Sequence, residues 1–179
     1  MYDAFLKVPF AEKKHVIDRD YVACTIHRAA NILSREKVSA IVEALNTIHK
    51  EMPVVMPLHP HTQKRIAEYA LQPVFTILSP LGYPEMKTLL SEASYVITDS
   101  GGAAREAFFC EKKSIVVMDK PFWPEITGAS CSISTEAETT QILKTFNQLS
   151  SLVPNFQSPI FGSGNAAKLI VKDILDYNI

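Results

Sequence analysis

The sequence predicts an α/β protein: a doubly wound parallel sheet of about six strands, with helices on both faces. Two observations predict it. Short apolar runs and amphipathic helical segments alternate about six times along the 179 residues. The runs are continuously apolar rather than alternating, as in Tyr21–Ile26 (YVACTI) and Pro53–Leu58 (PVVMPL), which is the pattern of parallel strands buried on both faces.

Residues 1–20 mix charged and aromatic side chains in no clean period and read as a linker or short helix ahead of a domain over 21–179. The first strand, Tyr21–Ile26, ends at His27-Arg28-Ala29-Ala30-Asn31. Ser34 opens a helix with Val38, Ile41, Val42, Leu45 and Ile48 at helical spacing. His49, at its end, is given no role. The second strand, Pro53–Leu58, ends at His59-Pro60-His61-Thr62 and leads into a charged helix to about Tyr69. The third, Val74–Leu78, ends at Ser79-Pro80-Leu81-Gly82-Tyr83, and Pro84 suits the first turn of a helix over Pro84–Ala93. The fourth, Tyr95–Thr98, runs into Asp99-Ser100-Gly101-Gly102 and another helix. Ser114–Met118 is the fifth strand, Asp119–Ser130 a loop, and Cys131–Ser134 the sixth strand. An amphipathic helix over Glu136–Leu149 and an irregular stretch over Ser150–Gly164 follow. Asn165 is then read as the cap of a last helix, apolar at Leu169, Ile170, Ile174 and Leu175.

A chain of this size buries roughly 70% of its unfolded surface as one domain. Its composition is globular, with 47% apolar and 21% charged residues. A net charge of -1 argues against nucleic acid or an anionic membrane as partner. No apolar run reaches membrane-spanning length and the N-terminus has no signal-peptide plan. Cys24, Cys110 and Cys131 are odd in number and widely spaced, which suggests reduced thiols in a cytoplasm rather than a disulfide framework or a zinc site.

In an open parallel sheet, ligands sit beyond the carboxyl ends of the strands. The residues to weigh are therefore His27, Arg28 and Asn31, His59 and His61, Pro80–Tyr83, Asp99–Gly102 and Asp119–Glu125. Ser100, Gly101 and Gly102 place bare amides and a hydroxyl at a helix N-terminus, which suits a phosphate. Glu106 lies one turn behind, where a carboxylate can accept from a ribose diol. The same stretch also fits a plain capped helix start, with Asp99 or Ser100 as N-cap. His27 and Arg28 make a credible diphosphate clamp, Arg by its fork of donors. His59-Pro60 can be a simple turn, and His61 reads as solvated. There is no G-x-x-x-x-G-K-[ST], no G-x-G-x-x-G after the first strand, no G-x-S-x-G and no metal-spaced cluster, so P-loop, nicotinamide, hydrolase and metalloenzyme readings are weak.

Six motifs then come in a telling order: TIHRAAN (Thr25–Asn31), LHPHT (Leu58–Thr62), PLGY (Pro80–Tyr83), TDSGG…EA (Thr98–Ala107), FWPE (Phe122–Glu125) and PIFGSGNA (Pro159–Ala166). Together they resemble the UDP-N-acetylglucosamine 2-epimerases, from Met1 to the C-terminus. The resemblance implies a Rossmann-like domain, the C-terminal half of a two-domain GT-B arrangement whose active site lies between the halves. It implies that His27 sits near the diphosphate and takes part in catalysis, with Arg28 and His59 nearby. Ser100, Gly101 and Gly102 would hold the diphosphate, Glu106 the ribose hydroxyls, and Pro80, Leu81, Tyr83 and Met86 the uracil. Family members interconvert UDP-GlcNAc and UDP-ManNAc by eliminating and re-adding UDP, so no cofactor and no metal is expected. The acids credited with proton transfer belong to an N-terminal domain missing from this chain, which is therefore expected to bind a UDP-sugar without turning it over. Departures fall at Ala30, Ala104, Arg105, Gly128-Ala129-Ser130 and Ser163, and one extra residue precedes Gly162. A stand-alone nucleotide-binding or regulatory module and the second domain of a GT-B glycosyltransferase are the alternatives. The face left open near His27, His59 and Ser100 is expected to recruit a partner or self-associate, as a homodimer for example.

Overall fold

Apolar strands without polar alternation must be covered on both sides, and the chain covers them with helices. The computed structural model describes residues 1–12, 17 and 19–177. The strands are β1 (Val22–Thr25), β2 (Val54–Pro57), β3 (Thr76–Leu78), β4 (Tyr95–Thr98), β5 (Lys113–Val117) and β6 (Ser132–Thr135). They form one six-stranded sheet in the order β3-β2-β1-β4-β5-β6. Every pairing is parallel, with Val22 beside both Val54 and Tyr95, and Thr25 beside Thr98. The strand order reverses between β1 and β4, and there the loops leaving the two strands diverge and open a crevice.

Side chains alternate across the sheet and so divide the core in two. Val22, Cys24, Val54, Met56, Ile97 and Ile115 face α3 (Arg35–Glu51) and α8 (Thr139–Leu149), meeting Ile41, Leu45, Ile48, Ile142 and Leu149. Tyr21, Ala23, Val55 and Val96 face the other way, toward Leu89 and Leu90 of α5 (Tyr83–Glu92) and Ala107 of α6 (Gly101–Phe109). A satellite cluster of Phe108, Ile126 and Cys131, with Trp123, Phe156 and Phe161 against it, closes the β6 side.

Of the stretch expected as a linker or short helix, Tyr2–Lys7 forms a helix, α1, and residues 13–16 and 18 lie outside the described residues. Other elements differ from expectation. The His27–Asn31 turn carries a four-residue helix, α2 (Ala29–Ile32). The charged helix α4 spans Pro60–Glu68. The expected loop after β5 contains α7 (Pro124–Gly128), started by Pro124 and held by buried Ile126. The last helix, α9 (Ala166–Asp176), has Asn165 at the N-cap position but no side-chain bond from it. Its first turn is capped by Asp3 of α1, whose carboxylate accepts from the Ala167 amide at 2.8 Å and is held below its usual pKa by that bond. No helix among the described residues is long and apolar enough to cross a membrane.

Candidate functional site

The site begins with a buried carboxylate. Asp99 is fully buried one residue beyond β4, and it accepts from the amides of His27 (3.0 Å) and Arg28 (2.9 Å) and from Asn31 Nδ2 (3.0 Å). Asn31 also donates to the Val117 carbonyl at 3.1 Å. Three strand ends, β1, β4 and β5, are thus tied through one side chain. Nearby, the hydroxyls of Thr25 and Thr98 meet at 2.7 Å, and the Ser100 amide donates to Thr98 Oγ1 at 2.9 Å. Sequence reasoning had weighed Asp99 as a cap and Asn31 as a strand-end residue. Ser100 is the cap, accepting from the Ala103 amide at 3.3 Å.

Beside this tie lies an open cleft of about 310 Å³, at the carboxyl ends of β1 to β4. It brings together His27, His59, Pro80, Leu81, Met86, Ser100, Gly102 and Glu106. Thr25, Pro57 and Ala103 also line it; the first two are the last residues of their strands, two residues before the turns that sequence reasoning weighed. Three expected residues stand back from it. The Arg28 guanidinium lies 3.9 Å over the Phe122 ring. Gly101 faces the same ring, 3.1 Å from where its Cβ would be, and its carbonyl accepts from Trp123 Nε1 at 2.8 Å. Tyr83 donates its hydroxyl to the Glu106 carboxylate.

The donors in the cleft are those of α6. With Ala103 capped by Ser100 and Ala104 bonded to the Ser100 carbonyl, the amides of Gly101 and Gly102 are the free first-turn donors among the described residues. A Cβ at Gly102 would touch only the Met1 methyl and the Ser100 hydroxyl, each at 3.5 Å, so that amide is approachable. Opposite stand imidazoles: His27 and His59 stack with ring centres 5.6 Å apart, and His61 lies tilted by 60° to His59 at 5.2 Å. His59 Nδ1 accepts from the His61 amide at 3.2 Å, so its neutral ring carries the proton on Nε2. Burial, and then the neighbouring His27 and His61, hold the His59 pKa below its ordinary value. Burial raises the Glu106 carboxyl, against the Tyr83 hydrogen bond and the charges of Arg105 and Lys87. Burial and Glu106 push the Tyr83 hydroxyl up to about 12. Helix-terminal donors, imidazoles and a carboxylate acceptor one turn away can together hold an anion joined to a diol.

Comparison with known proteins agrees with the fold. A structure of UDP-GlcNAc 2-epimerase from Methanocaldococcus jannaschii in complex with UDP-GlcNAc and UDP superposes with a TM-score of 0.81 at 28% identity, covering 98% of this chain and 48% of that one. A calicheamicin glycosyltransferase shares the fold at a TM-score of 0.62 and 16% identity, so the architecture is one half of a GT-B fold. Among curated relatives, the UDP-2,3-diacetamido-2,3-dideoxy-D-glucuronate 2-epimerase of Pseudomonas aeruginosa is 32% identical over 153 residues, 85% of this chain and 43% of that one. The UDP-N-acetylglucosamine 2-epimerase of M. jannaschii is 31% identical over 170 residues, 90% and 46% respectively. The chain spans about half the length of these relatives. The family model for UDP-N-acetylglucosamine 2-epimerase matches residues 1–175, and with the crevice at the strand-order reversal and the α6 turn already in place, this chain belongs to that family.

Proposed function

We propose that this chain is the UDP-holding, C-terminal half of an epimerase that acts on a UDP-linked 2-acetamido sugar. One observation carries the reading: the free amide of Gly102 lies in a cleft at the strand-order reversal together with His27 and Glu106, with the free amide of Gly101 next to it at the start of α6. The diphosphate would lie on these amides, where the helix dipole favours negative charge. Glu106 would accept from the ribose hydroxyls, and Pro80, Leu81 and Met86 would cover the uracil. His27 would face the oxygen through which UDP leaves. In the reaction the C2 proton is removed as the C1–O bond to UDP breaks, and UDP then re-adds to the glycal with a proton delivered to the opposite face. Arg28 on its Phe122 ring would supply positive field from outside the cleft, and Tyr83 would orient Glu106. The names of the two curated relatives share UDP and a 2-acetamido group, and this shared chemistry defines the substrate class. The proton-transfer acids that the resemblance places in the N-terminal half would have to come from that half. A cytoplasmic setting, where UDP-sugars are made, belongs to the same reading.

The test is calorimetric titration of this chain with UDP beside a Ser100→Ala, Glu106→Ala double variant. Weak saturable binding lost in the variant is expected, with no turnover of either UDP-sugar. Absence of UDP binding, or unchanged binding by the variant, would overturn the site, and turnover would overturn the incomplete active site.

A further inference from the structure

Two arginines without acid partners meet the aromatic loop after β5. The Arg28 guanidinium lies 3.9 Å over the Phe122 ring, and that of Arg105 lies 4.3 Å over Trp123. Both rings rest on the first residue of α6. Phe122 stands 3.1 Å from where a Cβ of Gly101 would be, and Trp123 donates to the Gly101 carbonyl at 2.8 Å. The two cations therefore gather beside one helix N-terminus, whose positive end adds to their field. Neither has a carboxylate within ion-pair distance among the described residues. Arg105 Nε is shut off from water with no acceptor, a costly state that calls for an explanation. Both arginines are only partly buried, and a guanidinium lying on a ring keeps its N–H donors free at the edge. Arg105 is also a position at which the TDSGG…EA motif departs from the resemblance.

The sheet order says which part of a nucleotide-sugar would come here. Pro80 and Leu81 follow β3, and the cleft runs from them across β2 and β1 to α6 behind β4. A uracil at Pro80, Leu81 and Met86 with its diphosphate at Gly102 leads the sugar onward, past Gly101 toward the loop behind β5. Phe122, Trp123 and their two guanidiniums stand on that side. Hydroxyl and acetamido groups carry no charge to answer two cations, whereas a carboxylate at the sugar's C6 carries the charge and the oxygen pair that a guanidinium fork matches. We propose that Arg105, with Arg28, seats a sugar carboxylate, so that the UDP-linked 2-acetamido sugar is a uronate. This rests on the UDP reading given above and names its substrate class more narrowly. It also gives the FWPE motif work to do: its two rings hold the two cations at the start of α6.

The experiment titrates this chain calorimetrically with UDP, UDP-GlcNAc and UDP-2-acetamido-2-deoxyglucuronate, the last two differing only in the carboxylate at C6. The readout is the ratio of the two sugar-nucleotide affinities, which cancels any effect on the nucleotide that both share. The parent chain should bind the uronate about tenfold more tightly than UDP-GlcNAc. Arg105→Gln, which removes the charge and the fork, should bring the ratio close to one. Arg105→Lys keeps a cation on the Trp123 ring but loses the fork, and its ratio should fall between the two. Should Arg105→Gln not fold, the reduced ratio in Arg105→Lys carries the test. UDP binding with a ratio near one in the parent overturns the uronate seat and leaves the arginines to a protein carboxylate. A preference undiminished in the Arg105 variants overturns it too, because the carboxylate then sits elsewhere. A parent chain that binds no UDP overturns the nucleotide reading, and this seat with it.

Discussion

Asp99 uses both carboxylate oxygens on protein donors, and all three donors lie on the β1–α2 segment, about seventy residues away in the chain. Nothing is left of it for a ligand; its work is to fix where His27 points. Asp99→Ala strands two amides and the Asn31 side chain in a buried place, which should cost about 3 kcal/mol in urea unfolding and abolish UDP binding. A loss under about 1 kcal/mol would show that the tie is not needed. His59 offers a second test. Its folded pKa is depressed, so the unfolded chain takes up more protons, and stability falls as pH drops below the ordinary value of 6.5. His59→Asn, which keeps an acceptor at the α4 cap, should flatten that slope between pH 7.5 and 5.5. UDP bound as proposed should reverse the sign of this effect. A diphosphate favours the protonated ring, so calorimetry near pH 6 should register proton uptake, diminished in His59→Asn.

At the scale of elements, the two glycines that open α6 do different work. Gly101 is pressed on by Phe122, whereas Gly102 meets only ordinary contacts. Gly101→Ala should therefore lower stability by forcing the Phe122 ring aside. Gly102→Ala should keep or raise it, by up to about 1 kcal/mol, because an alanine loses less backbone freedom on folding. It should still weaken UDP at least about tenfold, since the methyl group would enter the proposed path of the diphosphate. Equal effects of both substitutions on binding and stability would remove the distinction. The strands were legible in the sequence because continuous apolar runs can only be buried. The turns after them were legible because the sheet's polarity puts them at one end. The short helices α2 and α7 were not, since four or five residues cannot hold a helix without tertiary contacts. Asp99 holds the first and the burial of Ile126 the second. The start of α9 was legible, with Asn165 at the N-cap position, but the acceptor for its first turn was not, because Asp3 comes from the opposite end of the chain. The withdrawal of Arg28 from the cleft depends on Phe122, which no local pattern links to it.

At the scale of the whole molecule, apolar exposure gathers somewhere other than the cleft. Leu169, Ile170, Val171, Ile174, Leu175 and Tyr177 are 52% to 86% exposed, and α9 buries none of its residues among those described. Consecutive apolar residues at 169–171 spread around the helix rather than along one stripe, a pattern suited to a helix with cover on more than one side. A contiguous surface of this kind is uncommon on a soluble monomer. The chain spans about half of its relatives' length, and the cleft and α9 both stand open. Self-association was expected from the face around His27, His59 and Ser100; the apolar area makes α9 the stronger driver, because the cleft is rimmed by imidazoles that stay hydrated. Light scattering at rising concentration should therefore show association of the isolated chain, relieved in an Ile174→Lys, Leu169→Glu variant and not in His59→Asn. UDP should leave this association unchanged, since its proposed seat is elsewhere. Association that UDP dissolves would return the contact to the cleft, and a monomer at high concentration would mean that α9 remains exposed without a partner.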